Sequence, residues 1–390
     1  MIRSIEGLRG IAASLVALYH VYVYCKWGGF PAQWGVLRNA WLFVDMFFVI
    51  SGYVMAAAYG ERLRNPALFA GYMVRRFFRL YPLHIVTTVA VILAVLAVQC
   101  AKWLLAKNGM VLGGEPAFTT PFFDLDYFGL ELLLLHGVGF TTPGLHNYPS
   151  WSISVEFWMY LVFGLLVLLV RTRWVRIAAS AAIVAICIAW FLRSWSLDAA
   201  AVTLDVQGLP RGLLSFFLGV LVFHAWQALR WGAHPSGTSA GDGLLGFAQV
   251  AAGAFALYLV NRQDALGSTQ LMIPFAFALL VLSLLPDRGL VARLLQTAPM
   301  QWLGIHSYAI YLTHITVQTV LDWPGRVVPE PAKHGVVLIF AAAVLALSAL
   351  CYRFIEVPWR ERGKRIAERI EGRSGVAERP AANLAANRVE

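Results

Sequence analysis

Two ionisable residues near the start of the chain have a spacing that places them on one face of a helix. Arg9 and His20 lie eleven residues apart in an otherwise apolar stretch. At 100° per residue, the two side chains differ by only about 20° around a helix axis. Their axial separation is roughly 16 Å at 1.5 Å per residue. Such a face could line a path for a polar molecule, or Arg9 could reach lipid headgroups while His20 bonds to a neighbouring helix.

A carboxylate in another apolar stretch could act together with His20. Glu156 follows the aromatic segment PSW at residues 149–151, and counting from the helix ends puts it at a depth similar to that of His20. A carboxylate beside an imidazole fixes the ring tautomer and raises its basicity. We therefore expect an acid/base pair, the alternative being that Glu156 only satisfies nearby backbone or aromatic donors.

Three arginines stand close together in the segment RRFFR, at positions 75, 76 and 79. Arginine is suited to bidentate contacts with phosphate, and Arg76 and Arg79 face the same way on a helix because they are three residues apart. The cluster predicts a phosphate-binding mouth. Anchoring to anionic lipid is the simpler alternative.

Other polar residues in apolar stretches are weaker candidates. Asp45 precedes the segment FFVISGY, in which Ser51 and Gly52 would allow two helices to approach closely. Asp45 could help to orient a reacting group or form a structural ion pair. Ser307 and Tyr308 share a partly polar face and could position a substrate.

The remaining histidines carry less information. His314 is expected to be a hydrogen-bonded core residue, and His224 has no neighbouring motif. His136 and His146 are expected to be exposed in a long connector. The four cysteines are scattered without metal-ligand or disulfide spacing, so no metal site is predicted.

The elements that must position these residues are membrane helices. The chain has 390 residues, of which 59% are hydrophobic and 13% charged, against roughly 25% charged residues in a soluble domain. Several apolar runs approach the roughly 20 residues that a helix needs to cross a bilayer. Soluble enzyme folds are therefore excluded, and the prediction is an all-α, polytopic integral membrane protein.

Apolar windows predict ten transmembrane helices and a polar tail. A transmembrane domain is expected over residues 1–360 and a disordered cytoplasmic tail over 361–390. A basic amphipathic helix is expected on the membrane surface at 66–81, and a short interfacial helix at 127–138 within the connector 102–150. The predicted spans are 6–25, 40–59, 83–101, 152–170, 174–193, 210–228, 244–260, 270–286, 303–322 and 335–355.

The charge distribution predicts the orientation of these spans. The net charge is +10, and most of the 31 Lys and Arg residues fall in segments on the same side as the N-terminus. By the positive-inside rule, both termini are expected in the cytoplasm. The N-terminus runs into a full-length span and shows no cleavable signal pattern.

Taken in order, these segments closely resemble the acyltransferase family 3 membrane proteins, especially the branch that modifies bacterial exopolysaccharides. The resemblance covers residues 3–360 and includes the family's Arg-x10-His pattern at Arg9 and His20 and its Arg-x-x-Arg pattern at Arg76 and Arg79. The other matching segments are WLFVDMFFVISGY, WSISVEFWMYL, GIHSYAIYLTH and YRFIEVPWR.

The resemblance implies a ten-span enzyme of the bacterial cytoplasmic (inner) membrane that moves an acyl group, commonly acetyl, from cytoplasmic acyl-CoA to a hydroxyl of an extracytoplasmic glycan. Acyl-CoA is then a donor substrate, and neither a metal nor a nucleic acid is involved. Arg9, Arg75, Arg76 and Arg79 would bind the donor. His20 would be the general base or the nucleophile.

Further roles follow from the same hypothesis. Glu156 would orient His20 or the acceptor, Asp45 would assist in catalysis, and Ser307 and Tyr308 would position the substrate. Two other classes of protein stay open. The polar residues could line a proton-coupled transport path, although no internal repeat is visible, or the chain could be a non-catalytic component of polysaccharide export.

Overall fold

The computed structural model describes residues 2–22, 34–110, 125–139, 146–197, 208–232 and 239–372. Within these ranges the regular structure is helical and contains no strand, which confirms the predicted all-α class. Short 3-10 turns precede α3, α6 and α11. The α-helices are α1 Arg3–His20, α2 Gly35–Arg38, α3 Phe43–Tyr59, α4 Pro66–Lys107, α5 Leu125–Leu132, α6 Trp151–Leu169, α7 Arg173–Leu197, α8 Gly208–Gly232, α9 Ser239–Asn261, α10 Gln263–Leu266, α11 Met272–Leu284, α12 Leu290–Leu295, α13 Ala298–Val327, α14 Glu330–Cys351 and α15 Val357–Gly372.

Eight helical segments of the described chain are long and apolar enough to cross a membrane, fewer than the ten predicted. The two predicted spans missing from this set correspond to α1 and α13. Helix α1 carries Arg3, Glu6 and Arg9 within 18 residues, and α13 carries a run of histidine and tyrosine residues. Candidate site residues are among the polar residues of both helices, namely Arg9 and His20 on α1 and Ser307 and Tyr308 on α13.

Helix α4 differs from the prediction of a surface helix followed by a separate span. It runs without a break from Pro66 to Lys107, a length of about 63 Å at 1.5 Å per residue. Asn65 caps its start by accepting a hydrogen bond from the backbone N–H of Leu68 at 2.9 Å, and Pro66 occupies the first turn, where no N–H partner is needed. Pro82 lies inside the helix and does not end it. The separate amphipathic helix predicted at 66–81 is therefore wrong.

The predicted disordered tail is also partly wrong. A π-helical turn at Tyr352–Glu356 joins α14 to α15, which continues to Gly372. Helix α15 packs along α4, with Phe78 of α4 stacked on Trp359 at a ring-centroid distance of 5.9 Å. Helix α15 faces α4 with Gly363, which lies against Phe78, and with the buried carboxylate of Glu371, which pairs with Arg75. Residues 373–390 lie outside the described ranges.

Close helix contacts depend on glycine at two interfaces. Helix α1 packs along α13, where Gly10 faces the backbone of Gly304, so that neither position has room for a Cβ atom. Helix α3 packs along α8, where Gly52 lies against the carbonyl of Phe216. The close approach predicted at Gly52 is confirmed.

The first turn of α1 is fixed by a carboxylate from a distant loop. Asp287 accepts hydrogen bonds from the backbone N–H groups of Ser4, at 2.8 Å, and Arg3, at 3.3 Å. These groups have no partner within their own helix. The hydrogen bonds to the Asp287 carboxylate outweigh its partial burial and lower its pKa below the usual 3.8.

Candidate active site

A cavity of about 260 Å³ lies between α1, α3, α4, α6, α13 and α15. It brings together six of the residues singled out from the sequence, namely Arg9, Arg76, Arg79, Glu156, Ser307 and Tyr308. The other polar residues of the wall are Ser51, Ser152, Tyr160, Tyr311 and Arg360. Apolar side chains of α3, such as Phe47 and Val54, line much of the remainder.

Four guanidinium groups lie on the cavity wall, those of Arg9, Arg76, Arg79 and Arg360, and we call this set the basic end. Arg9 is 3.7 Å from Glu6, one turn earlier on α1. Arg79 forms an ion pair with the buried carboxylate of Glu356 and lies over the ring of Tyr308 at 5.3 Å. The basic end therefore has more arginines than carboxylates.

Arg76 accounts for much of this excess. Its guanidinium lies 5.5 Å from the ring centroid of Tyr59 and 5.7 Å from that of Tyr160, and it donates a long hydrogen bond of 3.5 Å to the hydroxyl of Tyr59. Within the described ranges, no carboxylate lies within ion-pair distance of Arg76, and its buried Nε has no hydrogen-bond partner. A phosphate would supply the missing anion.

Arg75 belongs to the predicted donor-binding set but does not line the cavity. Arg360 lines the cavity but is not in that set. Arg75 donates to the buried carboxylate of Glu371 on α15, with Nη1 3.1 Å from Oε2, and it is absent from the cavity wall. The predicted contact of Arg75 with the donor is therefore not supported, because this side chain joins α4 to α15. Arg360 belongs to the YRFIEVPWR segment. Its place at the cavity could not be predicted from the sequence, because only the return of α15 along α4 brings it there.

The middle of the cavity holds a hydrogen-bonded group formed by Glu156, Ser51 and Tyr160. Oε1 of Glu156 accepts from Ser51 Oγ at 2.8 Å and from the Tyr160 hydroxyl at 2.5 Å, and the two hydroxyls are 2.9 Å apart. All three side chains reach the cavity wall. The carboxylate predicted to pair with His20 thus has two hydroxyl partners instead.

A second group of hydroxyls on the cavity wall belongs to Tyr311, Ser152, Tyr308 and Ser307. The Tyr311 hydroxyl lies 2.8 Å from Ser152 Oγ and donates to the carbonyl of Pro149 at 3.1 Å. Tyr308 donates to the carbonyl of Leu80 at 2.6 Å, and the buried hydroxyl of Ser307 has no hydrogen-bond partner among the residues that the structure describes. Ser307 is therefore placed to bond to a group that enters the cavity.

His20 lies behind this wall and not on it. It contacts His314 on α13, with His314 Nε2 3.3 Å from His20 Nδ1, and His20 Nδ1 is 2.8 Å from the carbonyl of Val16. The wall residue Tyr311 contacts His314, with ring centroids 6.1 Å apart, so the histidine pair adjoins the cavity wall through Tyr311 and His314. The predicted pairing of His20 with Glu156 is replaced by a pairing with His314.

Asp45 is occupied by a structural ion pair. Its carboxylate receives two hydrogen bonds from Arg211 on α8, at 2.7 and 2.8 Å, and a third from Ser215 at 3.2 Å. The Arg211 guanidinium also lies 4.6 Å from the ring centroid of Trp41. Asp45 is buried and absent from the cavity wall. The structure thus favours the structural alternative for Asp45 over the catalytic one.

His136 and His146 are buried, so the prediction that they are exposed is wrong. His136 lies 3.1 Å from Ser150 Oγ and stacks on His84, while His146 lies 2.8 Å from Glu131. Burial lowers the pKa of His136 to about 3 and raises that of Glu131. Across the described ranges, no three His, Cys, Asp or Glu side chains are arranged to hold a metal ion.

Several curated proteins are similar to this chain over most of its length. A protein of Komagataeibacter xylinus named as a membrane-bound transacylase, BcsY, is 27% identical over 361 residues, which cover 91% of this chain and 82% of the relative. YrhL of Bacillus subtilis, named as a peptidoglycan O-acetyltransferase, is 25% identical over 93% of this chain. SACOL0978 of Staphylococcus aureus, named as an O-acetyltransferase, is 22% identical over 93%. This chain spans only 56% and 58% of the last two proteins.

No solved structure matches the chain. The family model described as an acyltransferase domain, Acyl_transf_3, matches residues 2–353 and therefore nearly the whole of the described bundle. This range includes both histidines of the His20–His314 contact, the Glu156 group and three of the four arginines of the basic end, while Arg360 lies just beyond it. The match confirms the resemblance inferred from the motifs: the chain belongs to the Acyl_transf_3 family and is a membrane acyltransferase.

Proposed function

We propose that this acyltransferase takes an acyl group, commonly acetyl, from acyl-CoA and transfers it to a hydroxyl of an extracytoplasmic glycan such as an exopolysaccharide. The observation that carries the proposal is the cavity itself. Its wall carries both an excess of guanidinium charge and a group of hydroxyls, of which Tyr311 contacts the His314 partner of His20. A donor with an anionic end and a long neutral arm matches these groups, because the guanidinium groups can bind the anionic end and the hydroxyls can contact the arm.

The basic end is suited to the phosphates of CoA. Arg76 provides a guanidinium without a carboxylate partner, and Arg9, Arg79 and Arg360 add positive charge around it. A volume of about 260 Å³ is below the roughly 300–1,000 Å³ of pockets that enclose drug-sized ligands. The cavity would therefore admit the thin arm and the thioester, while the nucleotide stays at the mouth.

His20 performs the chemistry in this proposal. As a general base, its Nε2 takes the proton of the acceptor hydroxyl while the hydroxyl oxygen attacks the thioester carbonyl. The C–S bond breaks, and the proton passes from His20 to the CoA sulfur. As a nucleophile, His20 would instead carry the acyl group between the two substrates. Either route requires the contact between Tyr311 and Ser152 to open, because His20 lies behind the cavity wall, which it adjoins through His314 and Tyr311.

The hydroxyl-bearing residues of the wall guide the arm of the donor. Ser307 supplies a buried hydroxyl without a partner beside Tyr308, which suits the thioester or its oxyanion. Glu156 keeps Ser51 and Tyr160 in place along the path. In the proposed orientation, the chain lies in the bacterial inner membrane with both termini in the cytoplasm. The basic end then faces the side where acyl-CoA is made.

Donor binding is tested by comparing two neighbouring arginines. Arg76→Ala removes a guanidinium that faces the cavity, whereas Arg75→Ala removes one that is paired with Glu371. Hydrogen bonds to charged groups contribute about 1.5–3 kcal/mol, so we expect acetyl-CoA to bind at least about tenfold more weakly to Arg76→Ala. Arg75→Ala should bind it as the wild type does. Calorimetry in detergent measures both, and equal affinity in wild type and Arg76→Ala would contradict the proposal.

A further inference from the structure

His20 and His314 form a contact that the general-base proposal leaves unused. Their ring centroids are 4.8 Å apart, and the shortest polar distance joins His314 Nε2 to His20 Nδ1 at 3.3 Å. Both rings are buried, with 4% and 0% of their surface exposed. The two residues come from α1 and α13, which are separated by 294 positions in sequence.

The backbone carbonyls around the two rings fix where their protons lie. His20 Nδ1 is 2.8 Å from the carbonyl of Val16, and His314 Nδ1 is 3.3 Å from that of Ile310. A carbonyl oxygen can only accept, so each Nδ1 carries a hydrogen and donates it. Nε2 of neutral His314 then presents a lone pair to the N–H of His20. The Nδ1 hydrogen of His20 is shared between Val16 and His314.

From this geometry, and on the basis of the proposed function, we propose that His314 is a positioning residue that holds His20 in the Nδ1–H tautomer. In this tautomer the lone pair of His20 is on Nε2, the nitrogen that must take the acceptor proton or the acyl group. His314 also limits rotation of the ring, because a rotated His20 would lose its second acceptor.

The partner of His20 is the imidazole of His314, whereas the sequence predicts the carboxylate of Glu156. Both acceptors of the His20 Nδ1 hydrogen, the Val16 carbonyl and the His314 ring, are uncharged. A base or a nucleophile starts each cycle as the neutral ring, and two uncharged acceptors suit that form. When Nε2 gains a proton, the shared hydrogen bond stabilises the positive ring.

The test compares His314→Gln with His314→Asn. The glutamine carbonyl can occupy the place of Nε2 and accept from His20, whereas asparagine is one methylene too short. For acetyl transfer we expect kcat to fall about 100-fold in His314→Asn and no more than about tenfold in His314→Gln. KM for acetyl-CoA should stay the same in both variants, because the basic end is intact. His306→Gln is the matched control, since this histidine on the same helix stacks on Trp302, one turn earlier.

Ring ¹⁵N chemical shifts of His20 provide a readout that does not depend on turnover. We expect the Nδ1–H tautomer in wild type and in His314→Gln. In His314→Asn we expect a mixture of tautomers, because the His20 ring, without its second acceptor, rotates away from the Val16 carbonyl. A wild-type kcat in His314→Asn, or an unchanged His20 tautomer in that variant, would overturn the role of His314. Failure of the wild type to transfer acetyl groups would instead overturn the proposed function, and the ¹⁵N shifts would still decide whether His314 sets the tautomer.

Discussion

At the scale of single residues, three arginines within five positions have three different environments. Arg75 pairs with Glu371 and Arg79 with Glu356, while Arg76 faces tyrosine rings and the cavity. The carboxylate partners lie 296 and 277 positions further along the chain. Sequence spacing indicates that such a cluster is basic, but only the packing of α15 on α4 determines which arginine is left to bind an anion.

Asp45 provides a prediction at the same scale. Asp45→Asn breaks a buried ion pair and leaves the Arg211 guanidinium without its counter-charge. Loss of one partner of a buried pair costs about 3–5 kcal/mol, so we expect a clearly lower midpoint of thermal unfolding in detergent. Correctly folded protein should bind acetyl-CoA with wild-type affinity.

The control for Asp45 is Asp264→Asn, which breaks the exposed pair with Arg38 and should change stability by less than about 1 kcal/mol. If Asp45→Asn were as stable as wild type but inactive, the structural role would be wrong and a catalytic one would be favoured.

At the scale of elements, the packing of α1 on α13 brings His20 to His314. The two helices approach closely because Gly10 and Gly304 lie backbone to backbone. We expect Gly304→Val to force them apart and to cost about 1–3 kcal/mol of stability, as overpacking generally does, together with most of the acyl-transfer activity.

Gly335→Val on α14 is the control for Gly304→Val, because a Cβ at Gly335 meets no other atom within 4 Å. Thermal unfolding and acetyl transfer measure both effects. Unchanged transfer in folded Gly304→Val would show that the spacing of α1 and α13 does not control the site.

The start of α1 gives a pH-dependent prediction. The folded-state pKa of Asp287 is below its usual 3.8 because the N–H groups of Ser4 and Arg3 bond to the ionised form. The resulting stabilisation is present above the unfolded-state pKa and is lost as the pH falls through the folded-state pKa. Asp287→Asn should therefore unfold at a lower temperature than wild type at pH 7, with a difference that shrinks below about pH 4.

Asp322→Asn serves as the comparison for Asp287→Asn, since it removes only a surface pair with Arg326 one turn away. A wild-type unfolding temperature for Asp287→Asn at pH 7 would mean that the carboxylate does not stabilise the first turn of α1.

At the scale of the whole molecule, composition and apolar runs are sufficient to predict an all-α membrane protein. Polar residues are scarce in such a chain, and six of those that the sequence indicates line the cavity. Pairings between distant segments could not be predicted in the same way. Counting residues from helix ends places Glu156 and His20 at similar depths, but depth does not specify the angle around the bundle. His314 is the hydrogen-bonded core histidine that the sequence predicts, but its contact with His20 could not be predicted because the two residues are 294 positions apart.

Topology is the other property that belongs to the whole molecule. The predicted topology adds α1 and α13 to the eight apolar spans of the described residues, which gives ten crossings and both termini on one side. The cytoplasm is the expected side from the positive-inside rule. In the proposed function, the basic end of the cavity faces cytoplasmic acyl-CoA and the histidine pair faces the acceptor.

In the proposed reaction, the chain moves an acyl group from acyl-CoA through the arginine-lined cavity to a hydroxyl beside His20. Its most direct test is acetyl transfer in proteoliposomes, with labelled acetyl-CoA on the cytoplasmic side and a glycan acceptor on the other. We predict that the wild type releases free CoA in step with ester formation on the glycan, and that His20→Ala does neither while still binding acetyl-CoA. Wild-type ester formation by folded His20→Ala, or passage of a solute without CoA release, would contradict the claim.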